Sequence, residues 1–260
     1  MAPIPRPPLP LEKKYRSIEP DGNVSSYEDL PSWYDRHVWK ESLVQRSGKK
    51  PAIEPPELFM SLVVPAYNEQ DRLHTMLKEA IEYLQEAYGT THGTSRASNS
   101  EHANGNTARI DSSLANGNLK HRSKAAPNGR ATPDLRPTTR GWEILVISDG
   151  STDDTVQTAL SFAKTLGREA ASAIRVVQLV ENRGKGGAVV QGMKHVRGEY
   201  AIFADADGAS KFEDLGKLVK ECRANEDDEG RAVAVGSRAH LVGSDAVVKV
   251  NQSTLLSRIR

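Results

Sequence analysis

Asp205 and Asp207 flank Ala206 where the apolar run "AIFADADGAS" (201–210) gives out, with Gly208 behind them. Alternate residues of a strand point to one side about 6.6 Å apart, so the two carboxylates can face one object. Two carboxylates aimed at one point repel unless a cation lies between them. A hard divalent ion such as Mg²⁺ takes one or two carboxylates and completes its shell with water and phosphate oxygens. An Asp-x-Asp triplet is common by chance, so its surroundings must decide.

Three other runs carry residue types that could serve the same chemistry. In "PAYNEQDR" (65–72), Pro65 lacks an N–H and would end a strand ladder, and Asn68 can cap a following helix with Asp71 in its first turn. Tyr67 and Glu69 are needed for neither job; an aromatic beside a carboxylate suits a base or a ribose. In "SDGSTDDT" (148–155), Ser151 and Asp154 have capping-box spacing, which accounts for half the motif as plain helix initiation. Asp149 is left to accept a hydrogen bond from a base N–H, in a tight turn made by Gly150. In "ENRGKGGA" (181–188), glycines let the backbone approach a ligand while Arg183 and Lys185 bring positive charge. The run is neither a P-loop nor the dinucleotide fingerprint. An aromatic–acid pair, an acid, a basic glycine loop and a metal pair together fit a nucleoside diphosphate with a divalent ion.

The elements that must position these residues alternate regularly. Near-continuous apolar runs of strand length occupy 58–66, 142–148, 174–180, 200–204 and 231–237. Helical periodicity fills 71–88, where Leu73, Leu77, Ile81 and Leu84 share a face, and also 155–167, 187–196 and 213–224. Such an α/β alternation predicts a mostly parallel sheet with helices on both faces. Ligands on these sheets bind outside the carboxyl ends of the strands, and each motif directly follows a strand.

Composition bounds the rest. Hydrophobic residues make up 37% of the 260 residues and mean hydropathy is -0.55, low enough to predict that part of the chain does not pack. Residues 89–140, poor in large apolar side chains, are expected to form a disordered insertion in a surface loop. Residues 1–56 read as an extended leader with one short helix near 31–46. The ligand-binding domain is expected over 57–88 and 141–240, and 241–260 as the start of a C-terminal helical or acceptor region. The closing "VVKVNQSTLLSRIR" reads either as a membrane-surface segment or as a helix. A formal net charge of +1 offers no nucleic-acid footprint. The single cysteine, Cys222, excludes a disulfide framework and fits a reducing compartment.

"SLVVPAYNE", "ILVISDGSTDDT", "LVENRGKGGAVVQGM", "GEYAIFADADGASKF" and "AVGSRAHL" resemble, in order and spacing, the eukaryotic dolichyl-phosphate β-glucosyltransferases. These are inverting enzymes of glycosyltransferase family 2 with a GT-A (Rossmann-like) fold, and the resemblance covers about 58–88 and 141–260. It implies UDP-glucose as donor, dolichyl phosphate as acceptor, Mg²⁺ or Mn²⁺, and the cytosolic face of the endoplasmic reticulum membrane, with a product used in protein N-glycosylation. It implies further that Pro65, Tyr67 and Glu69 line the uridine pocket with Asp149 near the uracil. Lys185 would lie by the nucleotide, Asp205 by the ribose or metal, and Asp207 would ligate the metal on the diphosphate. Ser148 stands where family members commonly have aspartate, and a hydroxyl there carries no charge. The family also has an N-terminal membrane helix and continues through an acceptor-binding half, so the chain is expected to lack both. Arg238 is the candidate to hold the lipid phosphate, or else a solvated arginine at a strand end. A binding remnant without turnover, and a family 2 transferase with another sugar or acceptor, are the alternatives.

Overall fold

The computed structural model describes residues 10–44, 54–89, 141–228, 230–236 and 255–258. Four parallel strands form the centre: β3 (Leu58–Ala66), β4 (Trp142–Ser148), β5 (Ile174–Gln178) and β6 (Gly198–Phe203). β3 and β4 are apolar almost throughout because helices cover both faces of the sheet. One face packs α2 (Leu73–Tyr88), α3 (Thr155–Lys164) and α6 (Glu213–Ala224) over Leu62, Val64, Ile144 and Val146. The other packs α5 (Gly184–Met193) over Val63, Leu145 and Ile147. Gly192 is required there, since a Cβ would lie 2.4 Å from Val63 Cγ1.

With β1 (Tyr15–Ile18), β2 (Val24–Tyr27), β7 (Val233–Val235) and β8 (Leu255–Arg258), the sheet order is β2-β1-β5-β4-β3-β6-β8-β7. The chain runs outward from β3 through β4 to β5, then crosses back to place β6 on the other side of β3. That makes the β3/β6 boundary the switch point of the sheet, where a crevice opens at the carboxyl ends. The mostly parallel, Rossmann-like architecture expected from the sequence is therefore what the chain adopts.

Some local expectations need correction. The leader is not extended: besides the expected short helix, found as α1 (Trp33–Val44), a 3₁₀ turn at Pro10–Lys13 and the β1–β2 hairpin build onto the domain. β1 pairs antiparallel with β5, whose open edge supplies the partner that short polar strands cannot supply for themselves. At the other end, Leu255–Arg258 is a strand rather than a helix, laid antiparallel between β6 and β7. The helix expected over 155–167 is present as α3, which ends at Lys164, and a short α4 (Arg168–Ser172) that was not expected follows Gly167. α5 begins at Gly184, so the glycines form a helix start and not a loop. The expected insertion falls outside the described residues apart from Gly89. Among the described residues no helix is long and apolar enough to cross a membrane.

Pro65 does not end β3. The strand stays paired with β4 as far as Ala66, opposite Ser148, while its pairing with β6 stops at Val63. Val63 presents its carbonyl to Ala204 on the β6 side. Pro65, two residues on, faces that same side just where no partner strand remains, so its missing N–H costs nothing.

Candidate active site

The carboxyl ends of β3 to β6 surround a cavity of about 610 Å³. Pro65, Tyr67, Glu69, Asp149, Lys185, Asp205 and Asp207 all line it, joined by Asn182, Gly184 and Ala188. Arg238 lies outside the described residues.

Asp205 and Asp207 reach the cavity differently from the strand alternation expected of them. β6 stops at Phe203, so both sit in the turn that follows. Asp207 Oδ1 accepts the N–H of Ala209 at 2.9 Å, closing an Asx turn over Gly208, whose φ of 73° suits glycine. Asp205 Oδ1 lies 2.5 Å from Lys185 Nζ. One cation thus already sits against this acidic pair. Among the described residues no group of three or more His, Cys, Asp or Glu converges as a metal site. Two hard carboxylates in one cavity are nevertheless the protein share that Mg²⁺ or Mn²⁺ takes when phosphate and water complete its shell.

The loops after β3 and β4 are clasped together. Asn68 has φ 54°, and its Oδ1 accepts the N–H of Thr152 at 2.9 Å, so it caps no helix. Its own N–H donates to Ser151 Oγ. Glu69 N–H donates to Thr155 Oγ1 at 2.8 Å, and Gln70 N–H to Asp153 Oδ2 at 3.2 Å. The capping box read at Ser151 and Asp154 is not made, because Ser151 serves this clasp. Asp153 instead accepts the N–H of Thr155 at 3.0 Å. Ser148 is fully buried and donates its hydroxyl to Ser151 Oγ at 3.0 Å. Its hydroxyl is therefore engaged inside the clasp and is not part of the cavity lining.

The clasp presents Tyr67, 48% exposed, and Glu69 to the cavity. Burial pushes the Glu69 carboxyl above its ordinary value, the nearby Asp207 charge adds to this, and Arg72 at 2.7 Å opposes it. Asp149 is only 2% exposed and is not left over: its Oδ1 accepts the peptide N–H of Arg183 at 2.8 Å. Burial raises its pKa, against the pull of the Arg183 and Gly184 peptide groups. Gly150, at φ 68°, brings the loop after β4 so close to Asn182 that a Cβ would meet the Asn182 nitrogen at 2.7 Å.

One buried acid at this end of the sheet escaped sequence reasoning. Glu12 accepts the Val180 N–H at 3.1 Å and forms an ion pair with Arg183. The contact spans 168 residues, and no local pattern around Glu12 signals it.

Residues 131–244 match the description "Glycosyl transferase family 2". The dolichyl-phosphate beta-glucosyltransferase of Saccharomyces cerevisiae is 33% identical over 251 residues, 94% of this chain and 55% of that one. The Drosophila melanogaster protein of the same name is 35% identical over 86% of this chain and 52% of its own length. The chain thus spans about half the length of the curated relatives it matches. Among solved structures, a mannosyltransferase from Pyrobaculum calidifontis in complex with GDP-Man and Mn²⁺ aligns with a TM-score of 0.37 at 19% identity, over 72% of this chain and 40% of that one.

Proposed function

We propose that this chain, whose residues 131–244 match the glycosyl transferase family 2 description, serves glucosyl transfer from UDP-glucose to dolichyl phosphate at the cytosolic face of the endoplasmic reticulum membrane. The observation that carries this reading is the convergence of seven chemically apt residues from the carboxyl ends of four strands on one cavity. The names of the relatives support the acceptor and the β-linked product.

In this reading Tyr67 and Glu69 meet the nucleoside and Asp149 holds the loop that faces the base. The diphosphate lies towards the amino end of α5, where the helix dipole favours an anion and Lys185 brings its ammonium group to the cavity. Asp205 and Asp207 would hold Mg²⁺ or Mn²⁺, which supplies neutralising charge to the departing diphosphate. The phosphate monoester of the acceptor has a second pKa of about 6, so it is largely ionised at neutral pH. An ionised oxygen needs little help from a general base. It forms a bond to the anomeric carbon as the bond from that carbon to the β-phosphate oxygen breaks, inverting the centre and releasing UDP. Positioning then carries much of the rate, and Arg238 is the proposed holder of the acceptor phosphate.

The test is transfer of radiolabelled glucose from UDP-glucose into the organic phase with dolichyl phosphate and Mg²⁺. Label that depends on both acceptor and metal supports the reading. Donor binding without any transfer would reduce the function to nucleotide-sugar binding, and labelling from GDP-mannose instead would move it to another hexose.

A further inference from the structure

We propose that Glu12 is a positioning residue of the donor site, setting from the N-terminal segment the loop that precedes α5. The proposal rests on the donor reading of the cavity. The Glu12 side chain is fully buried, and an ionised carboxylate in such a place persists only when it is paired and hydrogen-bonded. Its two oxygens grip the two ends of one short stretch: Oε1 takes the Val180 N–H at 3.1 Å, and Oε2 pairs with the Arg183 guanidinium. Between those points lies Asn182, which lines the cavity, and directly after them come Gly184 and Lys185, which line it too. Arg183 is held at both ends, its peptide N–H by Asp149 and its guanidinium by Glu12.

The grip has a firm base. Lys13 accepts the Leu30 N–H at 2.7 Å, and the buried Leu30 belongs to the same apolar cluster as Leu179 and Ala188, which flank the gripped loop and begin the body of α5. The guanidinium is thereby kept out of the cavity lining while the peptide groups beside it stay in place. Glu12 is not among the residues lining the cavity, so it acts on the site through Arg183 and Val180 and through its charge beside Asp149.

The test uses the full chain with UDP and Mn²⁺ in calorimetric titration. Glu12→Gln keeps an acceptor for Val180 but removes the charge paired with Arg183; we expect at least tenfold weaker UDP binding. Arg183→Gln should weaken it similarly, and the double variant should be no worse than Arg183→Gln alone. Ile18→Val, a buried change in the neighbouring strand β1, should lower the melting temperature and leave UDP affinity unchanged. Glu12→Gln binding UDP within twofold of the wild type would overturn the proposal, as would additive losses in the double variant. Should Glu12→Gln fail to fold, Arg183→Gln decides by the same twofold criterion. A wild-type chain that ignores UDP would instead overturn the donor reading. Amide exchange at Val180 and Arg183 then still judges the grip, which is refuted if Glu12→Gln leaves both rates unchanged.

Discussion

Asp149 shows how a side chain can be legible in place while one of its partners stays hidden. Its place after β4 marked it for the cavity, and it lines the cavity. Its carboxylate, however, is engaged by the backbone of Arg183, 34 residues away, which the turn alone could not reveal. Burial raises its pKa, and that fixes the sign of a pH effect. A carboxyl whose folded pKa is raised stabilises the fold below its unfolded value near 3.8, and this contribution is lost as pH rises through the folded value. Asp149→Asn keeps an oxygen for the Arg183 N–H and removes the buried charge. The melting temperature of Asp149→Asn relative to wild type should therefore rise from acid to neutral pH; a difference that stays flat would refute the burial argument. Tyr67, Glu69, Lys185, Asp205 and Asp207 were legible for a plainer reason. They follow apolar strands and are not consumed by helix caps. Glu12 was not legible, because a long-range ion pair leaves no mark in the residues around it.

At the level of elements, the apolar runs named the parallel strands closely, since strands covered on both faces leave little choice of residue. The β1–β2 hairpin and β8 were missed because their strands are four residues long and exist by pairing with the edges of β5 and β6. The amino ends of the strands are tied by another feature that motifs do not show. Glu143 is fully buried in β4 and accepts from Ser61 Oγ at 2.6 Å and from Arg197 at 2.8 Å, while pairing also with Arg175. Burial alone would raise its pKa, but the charges of Arg175 and Arg197 and these hydrogen bonds prevail and lower it. Its contribution to stability is accordingly complete above the unfolded value of 4.5 and lost as pH falls through the folded one. Glu143→Gln leaves the buried Arg175 without its counter-charge and Arg197 with only Glu57 at 3.5 Å, and should cost about 3–5 kcal/mol, as broken buried pairs do. Denaturant unfolding at neutral pH measures that cost, and the gap to wild type should narrow in acid. A loss below about 1 kcal/mol, within the range of exposed pairs, would show that this cluster does not hold the strand ends.

For the molecule as a whole, the insertion and the donor site can be separated by experiment. Gly141 N–H points to the Tyr88 carbonyl at 3.4 Å, and Trp142 Nε1 donates to the Gly89 carbonyl at 3.0 Å, so the two ends of the insertion already meet. Replacing residues 91–139 by a short glycine-serine linker should leave the melting temperature and UDP affinity nearly unchanged, because loop-closure entropy changes slowly with length. A loss of affinity beyond tenfold would mean that the insertion takes part in the donor site. The cavity at the β3/β6 switch point is proposed to bind a nucleoside diphosphate sugar through a divalent ion held by Asp207. The most direct measurement is calorimetric titration of UDP-glucose into the wild type and Asp207→Ala, each with Mn²⁺ and with a chelator. Wild-type binding should weaken at least tenfold on chelation, and Asp207→Ala should melt like the wild type but show no response to the metal. Binding indifferent to metal in the wild type, or a metal response that survives in Asp207→Ala, would contradict this proposal.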